Sequence, residues 1–169
     1  MLNLVIFLTF FFLSLLAEAK EFQYMIQDCP VSLSKTIVNM TMEIERHECL
    51  DVNYKLMDFA PNMIMCTELS KDTLGLVTQR QNDPYSFIML LDPRLDGILA
   101  ENVVLHEFGH TLGLDHACTQ KSVMRDTSED RYRLDFTFSD LVELRDYFPV
   151  RSDHCFRLMQ IYKTMSIRG

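Results

Sequence analysis

The chain has 169 residues, of which 48% are hydrophobic, and its formal net charge is −8 at pH 7. Its length suits one domain with a core of its own, and no repeat or low-complexity tract divides it. Nucleic-acid-binding surfaces are basic, so this acidic balance argues against a nucleic-acid partner. We expect a single-domain monomer.

The first 19 residues have the pattern of a secretory signal peptide. The mostly apolar run from Leu4 to Leu16 is shorter than the roughly 20 residues that a membrane span needs, and Ala17-Glu18-Ala19 is a small-x-small cleavage site. The alternative is a membrane anchor, which would need a longer apolar run. We predict that residues 20–169 form a secreted, extracellular domain without membrane insertion after cleavage. Its net charge would be −7, because Glu18 is the one charged residue removed.

Five cysteines follow this leader: Cys29, Cys49, Cys66, Cys118 and Cys155. In an oxidising compartment, two disulfides and one free thiol are the simplest expectation. Five choices of free cysteine and three pairings of the rest give 15 arrangements, and the sequence does not choose among them. Cys29 or Cys118 could instead contact a metal.

The first elements are a strand over residues 21–26 and a helix that ends near His47. Either Ser32 or Ser34 can act as its N-cap. Apolar residues at i, i+3 and i+7 spacing then predict a buried helix face, formed by Ile37, Met40 and Ile44.

Asn39-Met40-Thr41 within this helix matches the N-x-T pattern of an N-glycosylation acceptor. Such three-residue matches are frequent by chance. A glycan on Asn39 is therefore one of two open expectations, the other being an unmodified side chain.

Four further segments read as short strands separated by turn residues: 52–57, 62–66, 74–78 and 85–91. A longer helix is predicted from near Ile98, with a core-facing stripe formed by Ile98, Leu105, Phe108 and Leu112.

The segment H-E-F-G-H-T-L-G-L-D-H within and after this helix fits H-E-x-x-H-x-x-G-x-x-H, with His106, Glu107, His110, Gly113 and His116 at the fixed positions. The two histidines four residues apart share one helix face and can bind one ion. The glycine can adopt positive φ, end the helix and turn the third histidine back towards them. Chance would produce this pattern in only about one chain in 10⁵ of this length.

These three histidines predict one catalytic zinc ion with an open fourth position. Neutral imidazoles suit zinc, whereas calcium and magnesium prefer oxygen ligands. Glu107 lies about 100° further round the helix and would act as general base towards a water molecule. The alternative is a helix whose histidines form core hydrogen bonds, which would leave several polar groups converging without a partner. The remaining two histidines, His47 and His154, are expected at the surface.

This segment resembles the metzincin zinc endopeptidases, and among them most closely the matrixins, or matrix metalloproteinases. Metzincins carry a methionine turn below the metal, and Met124 lies eight residues after His116, which looks like the matrixin separation. Leu134–Phe148 resembles the matrixin C-terminal helix; we predict that it opens with Ser139 as N-cap, buries Leu141, Leu144 and Phe148, and stops at Pro149.

The resemblance implies an α+β, zincin-like catalytic domain. It would have a mixed five-stranded sheet with an antiparallel edge strand, two long helices, the methionine turn and a C-terminal helix. In this family the penultimate strand borders the cleft, which would make Leu74, Gly75, Leu76 and Val77 a substrate-binding edge. An ordinary buried strand is the alternative.

The sequence departs from matrixins in two places beside the motif. Ala117 follows the third histidine where matrixins usually have serine, and Asp126 replaces the usual proline after the methionine. The shape of the neighbouring pocket is therefore not inherited from the family. We also see no propeptide with a metal-binding cysteine; Cys29 is the one N-terminal candidate for such a switch, against an ordinary disulfide.

The implied function is that of a secreted, zinc-dependent endopeptidase, which cleaves protein or peptide substrates through a metal-activated water with Glu107 as base. The alternative is a non-catalytic secreted binding protein on the same scaffold with a structural zinc; its natural mark would be a replaced glutamate, and Glu107 is intact. A non-peptide amide substrate is a third reading. The resemblance also leaves bound calcium open, without a site that the sequence names.

Overall fold

The computed structural model describes residues 19–47, 49–80, 83–117, 121–125 and 132–144, together with Cys155 and Arg157. Residues 1–18 of the predicted signal peptide, Cys118, Asp126 and the predicted end of the last helix at Pro149 lie outside the described residues, as do Phe148 and His154. Within the described part, no helix combines the length and apolar character that a bilayer span requires.

Five strands form one sheet in the order β2-β1-β3-β5-β4. Their bounds are β1 Lys20–Gln27, β2 Val52–Leu56, β3 Asn62–Cys66, β4 Gly75–Arg80 and β5 Asp83–Leu91. The first three pairings, β1 with β2, β1 with β3 and β3 with β5, are parallel, and β4 pairs antiparallel with β5. The predicted mixed five-stranded sheet with an antiparallel edge strand is thus confirmed.

Three helices with described bounds accompany the sheet: α1 Val31–Arg46, α2 Gly97–Thr111 and α3 Phe138–Leu144. The serine N-cap predicted for α1 is wrong, because the helix begins directly after Pro30 and has no side-chain cap. Ser34 lies inside the first turn, where its hydroxyl donates to the Pro30 carbonyl at 3.1 Å. Competition between a serine side chain and the backbone makes such a start difficult to read from sequence.

The start predicted for α3 at Ser139 is also corrected. Thr137 precedes the first helical residue, and the Asp140 carboxylate accepts from the Thr137 backbone N–H at 2.5 Å. An acidic side chain that reaches back to the N-cap amide three residues earlier is one half of a capping box. The acidic residue of the first turn therefore fixes where α3 begins.

The core lies between the sheet and the two long helices. The predicted face of α1, Ile37, Met40 and Ile44, is buried, and aromatic rings join the layers, with Tyr54 of β2 lying 5.1 Å from Phe108 of α2 between ring centroids. One member of the predicted α2 stripe is wrong: Ile98 is 40% exposed, because it lies in the first turn, beyond the end of the core.

Two disulfides cross-link the described part of the chain. Cys29 after β1 pairs with Cys66 at the end of β3, and Cys49 before β2 pairs with Cys155. The expected two disulfides are present, and the structure gives their pairing, which the sequence does not determine. The switch role weighed for Cys29 is not available to it, because its thiol is in a disulfide.

Candidate metal centre

Three histidines converge at the C-terminal end of α2. The ligand nitrogens of His106, His110 and His116 all lie within 4.8 Å of one another. The first two are half-buried on successive turns of the helix, and the third is exposed on the segment that follows. Gly113 has a φ of 88°, the left-handed conformation that glycine adopts without strain, and it turns the chain back towards the helix.

Backbone carbonyls determine which ring nitrogens face the centre of this cluster. His106 Nδ1 lies 2.7 Å from the Val123 carbonyl oxygen, and His110 Nδ1 lies 2.8 Å from that of Leu114. A carbonyl only accepts, so each Nδ1 must carry the proton and each Nε2 must present a lone pair. The two Nε2 atoms are 3.1 Å apart. Burial lowers the pKa of His110, which favours the neutral form that binds metals.

Glu107 follows His106 on α2, and its carboxyl group is buried beside the cluster. The residue is only 5% exposed, and burial raises the pKa of its side chain to about 7. Its Oε2 atom has no hydrogen-bond partner among the described residues. A carboxyl group with a pKa near neutrality and a free oxygen is suited to accepting and returning a proton.

Met124 lies directly below the helix that carries the histidines and is fully buried. A Cβ atom added at Gly109 would lie 2.2 Å from the Met124 sulfur, so this close packing requires glycine on the helix. The turn is joined to the histidine segment by the Ala117 N–H, which donates to the Met124 carbonyl at 2.7 Å. Met124 thus supports the cluster through packing and is not part of it.

A buried polar network holds this methionine turn in place. The Ser122 hydroxyl donates to Asp140 Oδ2 at 2.8 Å and accepts from the Met124 backbone N–H at 2.9 Å. Both side chains are almost fully buried. The adjacent Val123 carbonyl is the one that fixes the His106 ring. This network is not predictable from the sequence, because an acidic residue near a helix start is common and nothing local links it to residue 122.

Strand β4 forms the opposite side of a cleft of about 700 Å³, which reaches the histidine cluster. As the last strand in the sheet order, β4 has one edge that no described strand covers, and Leu76 is 48% exposed. All four residues predicted as a substrate edge, Leu74 to Val77, line this cleft. Leu74 precedes the strand itself, which begins at Gly75.

Strand β4 packs closely against α2, and two of the contacts involve candidate site residues. A Cβ atom added at Gly75 would lie 2.4 Å from Glu107 Oε1, so the strand backbone approaches the carboxyl group closely. Gln79 Nε2 donates to the His110 carbonyl at 2.9 Å. The glycine was singled out from the sequence only as part of the edge strand, and Gln79 was missed, because both contacts are between residues more than 30 positions apart.

The other predicted site residues lie elsewhere. Asn39 is exposed on α1, and His47 is half-buried and accepts the Cys49 backbone N–H. Neither lines the cleft. Among the described residues, no second group of three or more His, Cys, Asp or Glu side chains converges as the histidine cluster does, so bound calcium has no support here.

A mixed sheet whose outer antiparallel strand faces a helix with two histidines is the architecture expected of a zinc metallopeptidase domain. The comparison with known families agrees: residues 35–146, more than half of the chain, match the family model described as Matrixin. The chain belongs to the matrixin family, and the resemblance drawn from the motif is confirmed. No curated protein matches the sequence. Membership of this family places the chain among zinc metallopeptidases.

The residues present fit a zinc ion. Two neutral Nε2 lone pairs that face each other at 3.1 Å repel, and a cation between them and His116 removes this repulsion. The carbonyl partners of both Nδ1 atoms are the outer contacts that usually orient histidine ligands. The donor set is therefore that of a three-histidine zinc site.

Proposed function

We propose that the protein is a secreted zinc endopeptidase, and that the convergence of three histidines beside a buried glutamate is the observation that carries this proposal. His106, His110 and His116 would hold the ion. When bound, zinc acts as a Lewis acid: it polarises the substrate carbonyl and lowers the pKa of a water molecule, which can then attack near neutral pH.

Glu107 is proposed as the general base and acid. Its free Oε2 atom accepts the proton of the attacking water and then delivers it to the amine that leaves when the peptide bond breaks. Burial keeps the carboxyl group at a pKa where both transfers are accessible. The carboxyl group also lies against the β4 backbone at Gly75, so the base has little freedom to turn away.

The free edge of β4 is proposed to hold the substrate. Its exposed N–H and C=O groups can pair with an extended peptide, which would lie across the cleft between β4 and α2. Backbone pairing of this kind depends little on side chains, and it favours peptides over small amides. This argues for an endopeptidase rather than an enzyme for non-peptide amides.

Export by the N-terminal leader and a glycan on Asn39 complete the proposal. The two disulfides suggest an oxidising, extracellular compartment, which agrees with a cleaved signal peptide over residues 1–19. The exposed position of Asn39 leaves room for a sugar chain.

A peptide-library digest with and without a zinc chelator tests the activity. We expect hydrolysis that the chelator abolishes and that zinc restores. Glu107→Gln should retain stoichiometric zinc but lower kcat/KM by about 10²–10⁴-fold, whereas His110→Ala should lose both zinc and hydrolysis. Glu101→Gln is the matched control, because Glu101 lies on the same helix, outside the cleft, near Arg133.

The same digest separates the alternative of a binding protein with a structural zinc. Zinc-loaded wild-type protein that cleaves no member of the library, or a Glu107→Gln variant that is as active as wild type, would reject the proposed mechanism. Residue preferences on each side of the cut would then define the substrate class.

A further inference from the structure

A second cavity lies away from the histidine cluster, between the first half of α1 and the ends of β1 and β2. It has a volume of about 820 Å³ and is lined by residues 25–29 of β1 and the following turn, by residues 56–59 after β2, and by one side of α1. None of the candidate metal ligands contributes to it. We call it the α1 groove.

Exposed apolar side chains surround the α1 groove. Phe59 is 88% exposed, Val31 is 73% exposed and Leu56 is 51% exposed. Polar residues also line the groove, including Asp28, Lys35 and Asp58. Ligand-binding surfaces typically combine apolar side chains with a few polar groups at the rim. Large exposed apolar patches usually bind a ligand or a partner.

Asn39 lines this same groove and begins the Asn39-Met40-Thr41 acceptor sequence. The Thr41 hydroxyl is buried in the fold, where it donates to the Val38 carbonyl at 2.8 Å and lies 3.3 Å from the Tyr24 hydroxyl. A transferase that must read this hydroxyl can do so only before α1 packs on the sheet. Any sugar on Asn39 is therefore attached before folding and is present when the groove forms.

We propose that an N-linked glycan on Asn39 binds in the α1 groove. In the transfer, Asn39 Nδ2 forms a C–N bond with C1 of the first N-acetylglucosamine, the bond from C1 to the pyrophosphate of a lipid-linked oligosaccharide breaks, and the Nδ2 proton leaves with the pyrophosphate. The C–H face of the first sugars then covers the Phe59 ring, and their hydroxyl and amide groups face the polar rim of the groove. The covalent link supplies the occupant at high effective concentration.

This proposal rests on the export and the Asn39 glycan of the proposed function, and not on peptidase activity. The full chain is therefore produced in a eukaryotic secretory host, once with its own leader and once with a leader of the host. Failure of export with its own leader alone would count against the signal peptide. Glycosylated protein from the host leader would still support the glycan.

Two measurements then test whether the glycan is present and whether it binds in the α1 groove. Intact mass before and after peptide N-glycosidase treatment should show one glycan, and Asn39→Gln should remove it. In thermal unfolding, Asn39→Gln and Phe59→Ser should each lower Tm by about 2–4 °C, and the double variant should fall no further than either alone. Met42→Ser is the control, because Met42 is exposed on the same helix outside the groove.

Three results would overturn the proposal. A mass that the glycosidase leaves unchanged would show that Asn39 is unmodified. Strictly additive losses in the double variant would show that the glycan does not contact Phe59. Concentration-dependent dimerisation of the glycosylated protein that Phe59→Ser abolishes would assign the groove to a second copy of the chain.

Discussion

The α2 side of the cleft holds its candidate metal ligands through hydrogen bonds to backbone carbonyls, whereas the β4 side offers exposed backbone and a glycine. His106 is oriented by the Val123 carbonyl, and the turn that carries this carbonyl is held by the buried Ser122 and Asp140. On β4, Leu76 is half-exposed and the free strand edge has no described neighbour. The side proposed to bind the metal is therefore preorganised, while the side proposed to bind the substrate stays open for pairing.

Of the changes that test this difference between the two sides, Asp140→Ala is expected to have the largest effect, because it removes the acceptor for Ser122 and for the start of α3. Because buried donors are left unsatisfied, we expect the free energy of unfolding to fall by about 3 kcal/mol and zinc affinity to fall with it. Chemical denaturation and zinc titration measure both. Glu143→Gln, exposed on the same helix, should change stability by less than about 0.5 kcal/mol. An unchanged Asp140→Ala protein would mean that the turn is held by packing alone.

Gly75→Ala tests the contact between the two sides. The added methyl group would collide with the Glu107 carboxyl group, so we expect kcat/KM to drop by about 10²-fold while zinc content stays at the wild-type level. Steady-state kinetics and metal analysis on the same sample separate the two quantities. Thr78→Ala, on the same strand outside the cleft lining, is the control. Full activity of Gly75→Ala would show that the carboxyl group can move without cost to catalysis.

The smallest effect concerns the segment that leads into β4. Asp92 at the end of β5 accepts from the Leu69 N–H and from Arg94, and its own N–H donates to the Leu74 carbonyl. The hydrogen bonds from the Arg94 side chain hold the pKa of Asp92 well below its usual range. A lowered pKa contributes stability that is present above the unfolded-state value of about 4 and is lost as the pH falls through the lower folded-state value.

We therefore expect Asp92→Asn to lower Tm by about 2–4 °C at pH 7, and the difference from wild type to shrink as the pH is taken below about 4. Thermal unfolding across this pH range measures it. Asp96→Asn, an exposed neighbour, should show no such convergence. If the Tm difference between wild type and Asp92→Asn stays constant down to pH 2, the ionised Asp92 carboxylate does not stabilise the segment that leads into β4.

Much of the fold was readable from local pattern. Within the described residues, the five strands and three helices were predicted at nearly their observed positions, because apolar periodicity reports which face each element buries. The errors lie at element ends, as with Ser34 and Ser139, where side-chain and backbone hydrogen bonds compete. Ile98 was assigned to the core by spacing alone, although it lies in the first turn of α2, outside the core, and is 40% exposed.

The sequence by itself determined the histidine cluster, because His106 and His110 are four residues apart on one helix and Gly113 can turn the third histidine back. These relations extend over eleven residues and follow from helix geometry. Only the tertiary structure decided that Gly75 approaches Glu107, that Asp140 supports the turn of Met124, and which cysteines pair. Such contacts join distant parts of the chain, and their energies depend on how the layers pack, which no local pattern records.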